Sequence, residues 1–563
     1  MRFVVCFLFF IQIFVAQAQY PVDYFGSPLD IPLTISGNFG ELRSNHFHAG
    51  LDFRTQQKEG LNVYAAADGY VSRIKISTFG YGKAIYITHP TGFTTVYGHL
   101  KQANPVIDQY IRTQHYKEKE FEIDIFPKPT DLPITKGEFI AASGNTGGSG
   151  GPHLHFEIRD SKTEKAINPF LFGFDKLMVD TRLPQINSLM AYPISEDASI
   201  NDAQRPTMIS LTRLQNGSYL ASKIKANGKI GFGINAYDLM DFSYSKNGLY
   251  KVEAFNNGTK TFGFTFDTFS FDEAKHINGL IDFPRFVTSG VRFQKLFAIN
   301  PYNLSIIDSN TANGILTVIP NLNQNYRIEI SDFNSNKITI NIPIVYSNAK
   351  PTIGKGITKT KYFLKSKIEN LYNQENISVS VPPNTFYEDF YLDFKVNKDT
   401  LRFASDEVAL QNAVLVTFEK DIAAEDKSKI FIATQDGNKL QYNKTRYKDG
   451  QFSTYTKKLG TLVLARDEVA PTVVALTLGK SKSLATQSTI DFNINDSLSG
   501  ISSFVGSINS KWVLFDYDFK TKKLKHTISD GIVQEGNNSI KLTVADNVGN
   551  VNTFETNFTY KKG

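Results

Sequence analysis

Seven of the nine histidines in this 563-residue chain fall between His46 and His155, namely His46, His48, His89, His99, His115, His153 and His155. Imidazole binds metals and moves protons near neutral pH, so one stretch holds most of the chain's capacity for either chemistry. In His48-Ala49-Gly50-Leu51-Asp52 an imidazole and a carboxylate stand four residues apart. On a strand these two and Gly50 would share a face, with the glycine leaving room for an ion. Nitrogen and oxygen donors together suit zinc. Read alone, the segment fits a surface histidine and a turn aspartate equally well. In Gly151-Pro152-His153-Leu154-His155-Phe156-Glu157-Ile158, His153 and His155 occupy one strand face while Leu154 and Phe156 face a core on the other. Two histidines on an otherwise apolar strand favour function over packing. His99 ends the segment Tyr97-Gly98-His99 and by itself reads as structural.

Other residues nearby carry less. The run Gly144-Asn145-Thr146-Gly147-Gly148-Ser149-Gly150-Gly151 lacks the Lys-Ser/Thr ending of a phosphate loop and leads into a strand, so it reads as a tight turn aiming His153 and His155. His46 would share the face of His48, but its spacing to Asp52 fails. His89 and His115 read as non-ligands, and Glu157 as structural rather than catalytic.

Taken with Ala66-Ala67-Asp68-Gly69 and Gly80-Tyr81-Gly82, these segments resemble, in their order, the lysostaphin and LytM-type zinc endopeptidases over residues 35–172. The resemblance implies that His48, Asp52 and His155 bind Zn2+, three protein ligands that leave an open fourth position. It places His99 and His153 beside the reacting water and the scissile carbonyl. His153 is the better base because it neighbours His155, and His99 then orients substrate or stabilises the oxyanion, although the two roles are exchangeable. The implied substrate is the peptide cross-links of bacterial peptidoglycan. By analogy with that family, an Asn-, Lys-, Ile- and Phe-rich secreted member looks like a Gram-negative, low-GC bacterial product, which would place the protein in the periplasm or cell envelope and offer it D-Ala–diaminopimelate links. Two departures from the family's common form are a long insert at about 101–134 and Ser149-Gly150-Gly151 where Ser-Thr-Gly is frequent. The insert is expected to shape or cover the substrate groove. The alternative is a non-catalytic envelope scaffold or regulator that uses the same domain for binding, but relatives of that kind usually lack the ligands kept here.

The elements that must position these residues are strands. Alternating stretches such as Gly69–Ile74 and Ala84–Thr88 recur between Tyr20 and Phe172, interrupted by the polar, proline-bearing insert, which reads as a long loop or small subdomain. The predicted fold is mainly β: a compact β-sheet peptidase domain at 19–175, then β-sandwich modules. At about 100–200 residues per domain the length suggests three to five domains. We place a β-sandwich at 180–348, a differently textured β-rich module at 349–466 and an immunoglobulin-like module at 467–563. Two echoes suggest a repeated module. Asp180 and Asp467 each precede a proline by four residues, and Phe232–Asp238 and Phe492–Asp496 each place an alternating strand before an acidic turn. Asp496 and Asp546 lie in acidic turns that read as structural rather than as a calcium site. The C-terminal modules are open to wall-glycan binding, docking to envelope proteins or a spacing role.

The amino terminus gives the address. Met1-Arg2, an apolar run from Phe3 to Val15 and Ala16-Gln17-Ala18 have the order of a secretory signal peptide at 1–18. Its run is shorter than the roughly 20 residues of a membrane span, and no later stretch is long and apolar enough to serve as one. The only cysteine, Cys6, would leave with the signal, which excludes disulfides and cysteine-bound metals from the secreted chain. A net charge of +6 without long single-sign runs, and no recognisable nucleic-acid module, give a nucleic-acid partner no support.

Overall fold

In the computed structural model, which describes residues 20–300, 302–356, 358–478, 482–484 and 487–561, the chain is mainly β. The signal-peptide reading at 1–18 lies outside the described residues. No helix among them is long and apolar enough to cross a membrane.

The N-terminal sheet contains β1 (Ile35–Gly37), β2 (Leu51–Arg54), β3 (Gly69–Ile76), β4 (Lys83–Thr88), β5 (Phe93–Gly98), β6 (Ile123–Ile125) and β7 (His153–Asp160), in the spatial order β1-β2-β7-β5-β4-β3-β6. Every neighbouring pair is antiparallel. The period-two alternation of β7 sends Leu154, Phe156 and Ile158 into a core shared with Leu51, Phe53 and Tyr97, and none of these side chains has measurable exposure. Fully burying a side chain such as Phe156 stabilises the fold by about 1.5–3 kcal/mol. The opposite face of the strand is thereby committed to His153, His155 and Glu157.

The insert is not a long loop. It forms the helix α1 (Pro105–Glu118) and then β6, which extends the sheet beside β3. Asn104 caps the helix by accepting from the Ile107 amide at 2.8 Å, Pro105 begins it, and Lys119 closes it in the left-handed region at φ 56°. Ile107, Ile111 and His115 recur every four residues and face inward. The charged run 117–120 hides this short apolar stripe from a reading by composition.

The second module builds sheets of five and nine strands, and its core includes Phe39, Phe47, Ala49 and Ala166 from the N-terminal region. The strand Ala166–Ile167 pairs with β7 on one side and with Thr268–Phe269 on the other, so hydrogen bonding runs continuously from one module into the next. Residues between Tyr362 and Arg466 form sheets of two, five and five strands around a separate core. From Thr472 onward, sheets of four and five strands fill one further core between them. This last module folds back onto the first. Tyr116 of α1 stacks edge-on against Trp512 at 5.1 Å and donates its hydroxyl to Asp530, Phe79 meets Phe519 at 4.7 Å, and Lys83 Nζ lies 3.0 Å from Asp516. Of these contacts, those of Tyr116 engage the helix of the insert.

Candidate metal centre

Strand register assembles the centre. Gly37, Asp52, His155 and Gly98 stand in one row across β1, β2, β7 and β5. Glycines flank the two polar residues because there is no space for more: a Cβ on Gly37 would lie 2.3 Å from Arg43 Nη2 and 3.0 Å from Asp52 Oδ2, and one on Gly98 would lie 3.3 Å from the His155 Cβ. His48 joins the row from outside the sheet. The strand expected over 48–52 begins only at Leu51, and His48 sits in the irregular segment before it. Gly50 also has a different reason from the one its spacing suggested. A Cβ there would meet the Phe156 carbonyl oxygen at 2.1 Å, so the glycine admits the β7 backbone and not an ion.

One donor atom from each of His48, Asp52 and His155 lies within 4.8 Å of the others, and all three residues are buried. His48 Nδ1 donates to the Asn38 carbonyl at 2.8 Å, and His155 Nε2 donates to Glu157 Oε1 at 2.8 Å. These partners fix the tautomers. The lone pairs of His48 Nε2 and His155 Nδ1 then face each other across 3.0 Å, each 2.9 Å from Asp52 Oδ1. Two lone pairs and a carboxylate oxygen converging in a buried space repel one another unless a cation lies among them. Two nitrogens and one oxygen are also a donor set that zinc accepts, so the residues fit that metal.

The electrostatics differ between the two rings: burial lowers His155, but Asp52 and Glu157 outweigh it and raise it to about 9, so the two carboxylates favour a positive charge at this ring, whether a proton or a metal. Burial would raise the Asp52 pKa, but His48 and the ring nitrogens of His153 and His155 close beside the carboxylate outweigh it and hold the carboxyl well below its usual range. Burial pushes His48 down, toward the neutral form a ligand requires. Glu157 has no exposure; burial is outweighed by Arg159 and His155, which hold it down to about 2. Arg159 Nε donates to Glu157 at 2.6 Å, and the Tyr81 hydroxyl donates to it as well. Glu157, read from sequence as structural, is thus the anchor of His155. Its position two residues beyond His155 on the same strand face was the available signal.

His99 and His153 stand beside the centre with rings 4.7 Å apart. His153 Nδ1 donates to the Gly151 carbonyl at 2.8 Å, and its Nε2 lies 3.4 Å from Asp52 Oδ1. His99 has positive φ, 59°, an uncommon conformation for a residue with a side chain. Its Nδ1 donates to the Thr146 carbonyl at 2.8 Å, and burial, helped by His155 and His153, lowers its pKa to about 3. The glycine segments make this placement possible. Gly82 and Gly147, both at positive φ, pack so closely that a Cβ on either would lie 2.5 Å or less from the backbone of the other.

The remaining histidines stand apart. His46 is exposed and paired with Asn45. His89 is buried between the Asp68 carbonyl and Thr95, and His115 bonds the Glu120 carbonyl at the end of α1.

Residues 46–115 match peptidase family M23, and residues 361–467 match the Zu5-like domain. A Haemophilus influenzae protein described as an uncharacterized metalloprotease is 34% identical over 122 residues, covering 22% of this chain and 20% of its own. The DD-carboxypeptidase/endopeptidase Mpg of Neisseria meningitidis is 32% identical over 118 residues, covering 21% of each chain. The chain thus spans about a fifth of the length of these relatives. The catalytic domain of lysostaphin from Staphylococcus simulans aligns over 24% of this chain and 88% of that one, at 24% identity and a TM-score of 0.18. The chain carries a peptidase family M23 domain, matched over residues 46–115.

Proposed function

We propose that the protein is a zinc-dependent endopeptidase, exported to the bacterial envelope, that hydrolyses peptide cross-links of peptidoglycan. The observation that carries this reading is the convergence of His48 Nε2, Asp52 Oδ1 and His155 Nδ1 beside two further imidazoles. His48, Asp52 and His155 would hold the metal. A zinc ion there supplies Lewis acidity toward water and toward a peptide carbonyl. The chain's own residues do the rest. His153, whose Nδ1 proton is committed to Gly151, keeps Nε2 free to accept a proton from water and return it to the leaving amine. His99, neutral and fixed by Thr146, offers its Nε2 as an acceptor that orients a substrate amide. Glu157 and Asn38 keep the ligand rings from rotating.

The test is release of new amino termini from purified peptidoglycan by the parent and by His153→Ala, with zinc content determined for each. Activity in the parent that disappears in the variant while zinc stays bound supports the hydrolase and the role of His153. A zinc-loaded but inert parent would replace this reading with that of an envelope scaffold.

A further inference from the structure

A second cluster lies in the module that follows the peptidase domain. Asp180 comes from the linker, Asp238 from the end of the strand Lys229–Tyr237, and Asp332 from the turn between Gln324–Ser331 and Lys337–Tyr346. One carboxylate oxygen of each lies within 4.8 Å of the other two, and Asp238 and Asp332 are each only 4% exposed. Among the described residues no lysine or arginine comes within ion-pair distance of any of the three; the Arg182 guanidinium turns instead to the Ser243 carbonyl at 3.4 Å. Asp238 Oδ1 is buried without a hydrogen-bond partner. Such an orphaned oxygen is costly in a protein interior, and more so beside two other carboxylates.

The last module repeats the arrangement and shows what is different here. Asp467, Asp496 and Asp546 converge in the same way. Asn550 Nδ2 donates to the Asp467 carbonyl at 3.0 Å, as Asn336 Nδ2 donates to the Asp180 carbonyl at 3.2 Å. In that cluster backbone amides occupy all three carboxylates: Ser499 donates to Asp467, Leu498 and Gly500 to Asp496, and Val548 and Asn550 to Asp546. In the second module the Arg182 amide donates to Asp180 at 3.3 Å, and the Asn336 amide and Nδ2 donate to Asp332 at 2.8 and 2.7 Å, so the difference falls on Asp238. The central aspartate of the second module has no such donor at Oδ1. Burial, reinforced by Asp180 and Asp332, lifts Asp238 to about 8, and burial with Asp332 lifts Asp180 to about 7. The space enclosed by the three carboxylates is also lined by Asn38, Asn168 and Tyr250.

We propose that Asp180, Asp238 and Asp332 form a calcium site between the peptidase domain and the module behind it. The donors are all oxygen, without a histidine or cysteine, which selects a hard cation over zinc. Carboxylates supplied by three separate segments suit the larger and more tolerant coordination of calcium over the tight octahedron of magnesium. The site has a mechanical meaning as well. Asn38 on its wall is the residue whose carbonyl holds His48, and its side chain exchanges two hydrogen bonds with Gly248 of the second module at 2.8 and 2.9 Å. A cation there ties the linker, the second module and the support of His48 into one unit.

The experiment measures calcium per chain in the purified full-length protein by equilibrium dialysis, and thermal unfolding with and without calcium chloride, for the parent, Asp238→Asn and Asp180→Asn. The expected result is that Asp238→Asn binds one calcium fewer than the parent. Calcium should raise the parent's Tm by about 5 °C and leave that of the variant unmoved. If Asp238→Asn does not fold, the partly exposed linker variant Asp180→Asn gives the same comparison. Equal calcium binding by parent and variants, or no calcium-dependent shift in the parent, overturns the proposal. An equal shift with magnesium chloride overturns the assignment to calcium. A variant that melts above the parent, with neither responding to calcium, would instead identify a cluster kept neutral by protons.

Discussion

His48 and His153 reach the same centre from opposite sides and are held there in different ways. Phe47, next to His48, is buried in the core of the second module, with its ring 5.2 Å from Phe266 and 5.6 Å from Phe269. Asn38, which fixes the His48 ring, is clamped to Gly248. This side is fastened by apolar burial and shared strand pairing. On the other side, the glycine-rich turn before His153 is touched by the last module through a single lysine, Lys520, whose Nζ donates to the Ser149 carbonyl at 2.9 Å and to the Asn145 carbonyl. Burial is strong and salt-insensitive, whereas an exposed charged contact is weak and adjustable. The second module therefore helps to hold His48 in place, and the last module reaches only the turn before His153.

The largest effect should come from the row that both sides serve. Asp52→Ala and His155→Ala should each abolish zinc binding and reduce cleavage to background, read by metal analysis and amino-terminus release. Retained zinc in both variants would show that the ligands lie elsewhere.

Next comes the apolar side. Phe266→Ala lies well outside the peptidase match, yet it should cost about 3–5 kcal/mol of stability in denaturant unfolding and lower zinc affinity, because it removes the wall behind Phe47. A variant that loses stability but binds zinc as tightly as the parent would separate the second module from the site and break the comparison.

The sequence was a good guide to one side and a poor one to the other, for physical reasons. The strand alternation of 153–158 is local, so the faces of His153, His155, Leu154 and Phe156 can be read directly. The support of His48 depends on distant residues such as Phe266 and Gly248, and no local pattern announces it. Gly50 was misassigned because a glycine that admits a neighbouring backbone looks in sequence like one that admits an ion. The helix at 105–118 was missed because its inward stripe is only three residues wide, although Asn104 and Pro105 are legible as a helix start. The orphaned oxygen of Asp238 depends on which amides reach it, and this distinguishes two acidic clusters whose sequences echo each other.

A smaller effect is expected at the anchor of His155. Glu157→Gln keeps the shape but removes the charge that holds the Nε2 proton and pairs with Arg159, so zinc affinity should fall by about 10–100-fold, with a loss of stability from the uncompensated buried guanidinium. Competition with a chromophoric chelator measures this directly, and unchanged affinity would reduce Glu157 to a packing residue.

The smallest effect tests the adjustable side. Lys520→Ala removes the hydrogen bonds of one exposed lysine to Asn145 and Ser149, so stability should change by less than about 1 kcal/mol and zinc content not at all. The turn that aims His153 would lose the hydrogen bonds that Lys520 makes to it, and any consequence belongs in catalysis. Cleavage of peptidoglycan by Lys520→Ala should differ from the parent at low salt, and the difference should shrink as salt screens the parent's own contact. A loss of stability as large as that of Phe266→Ala would instead mean that Lys520 fastens the turn before His153 as firmly as apolar burial fastens the segment of His48.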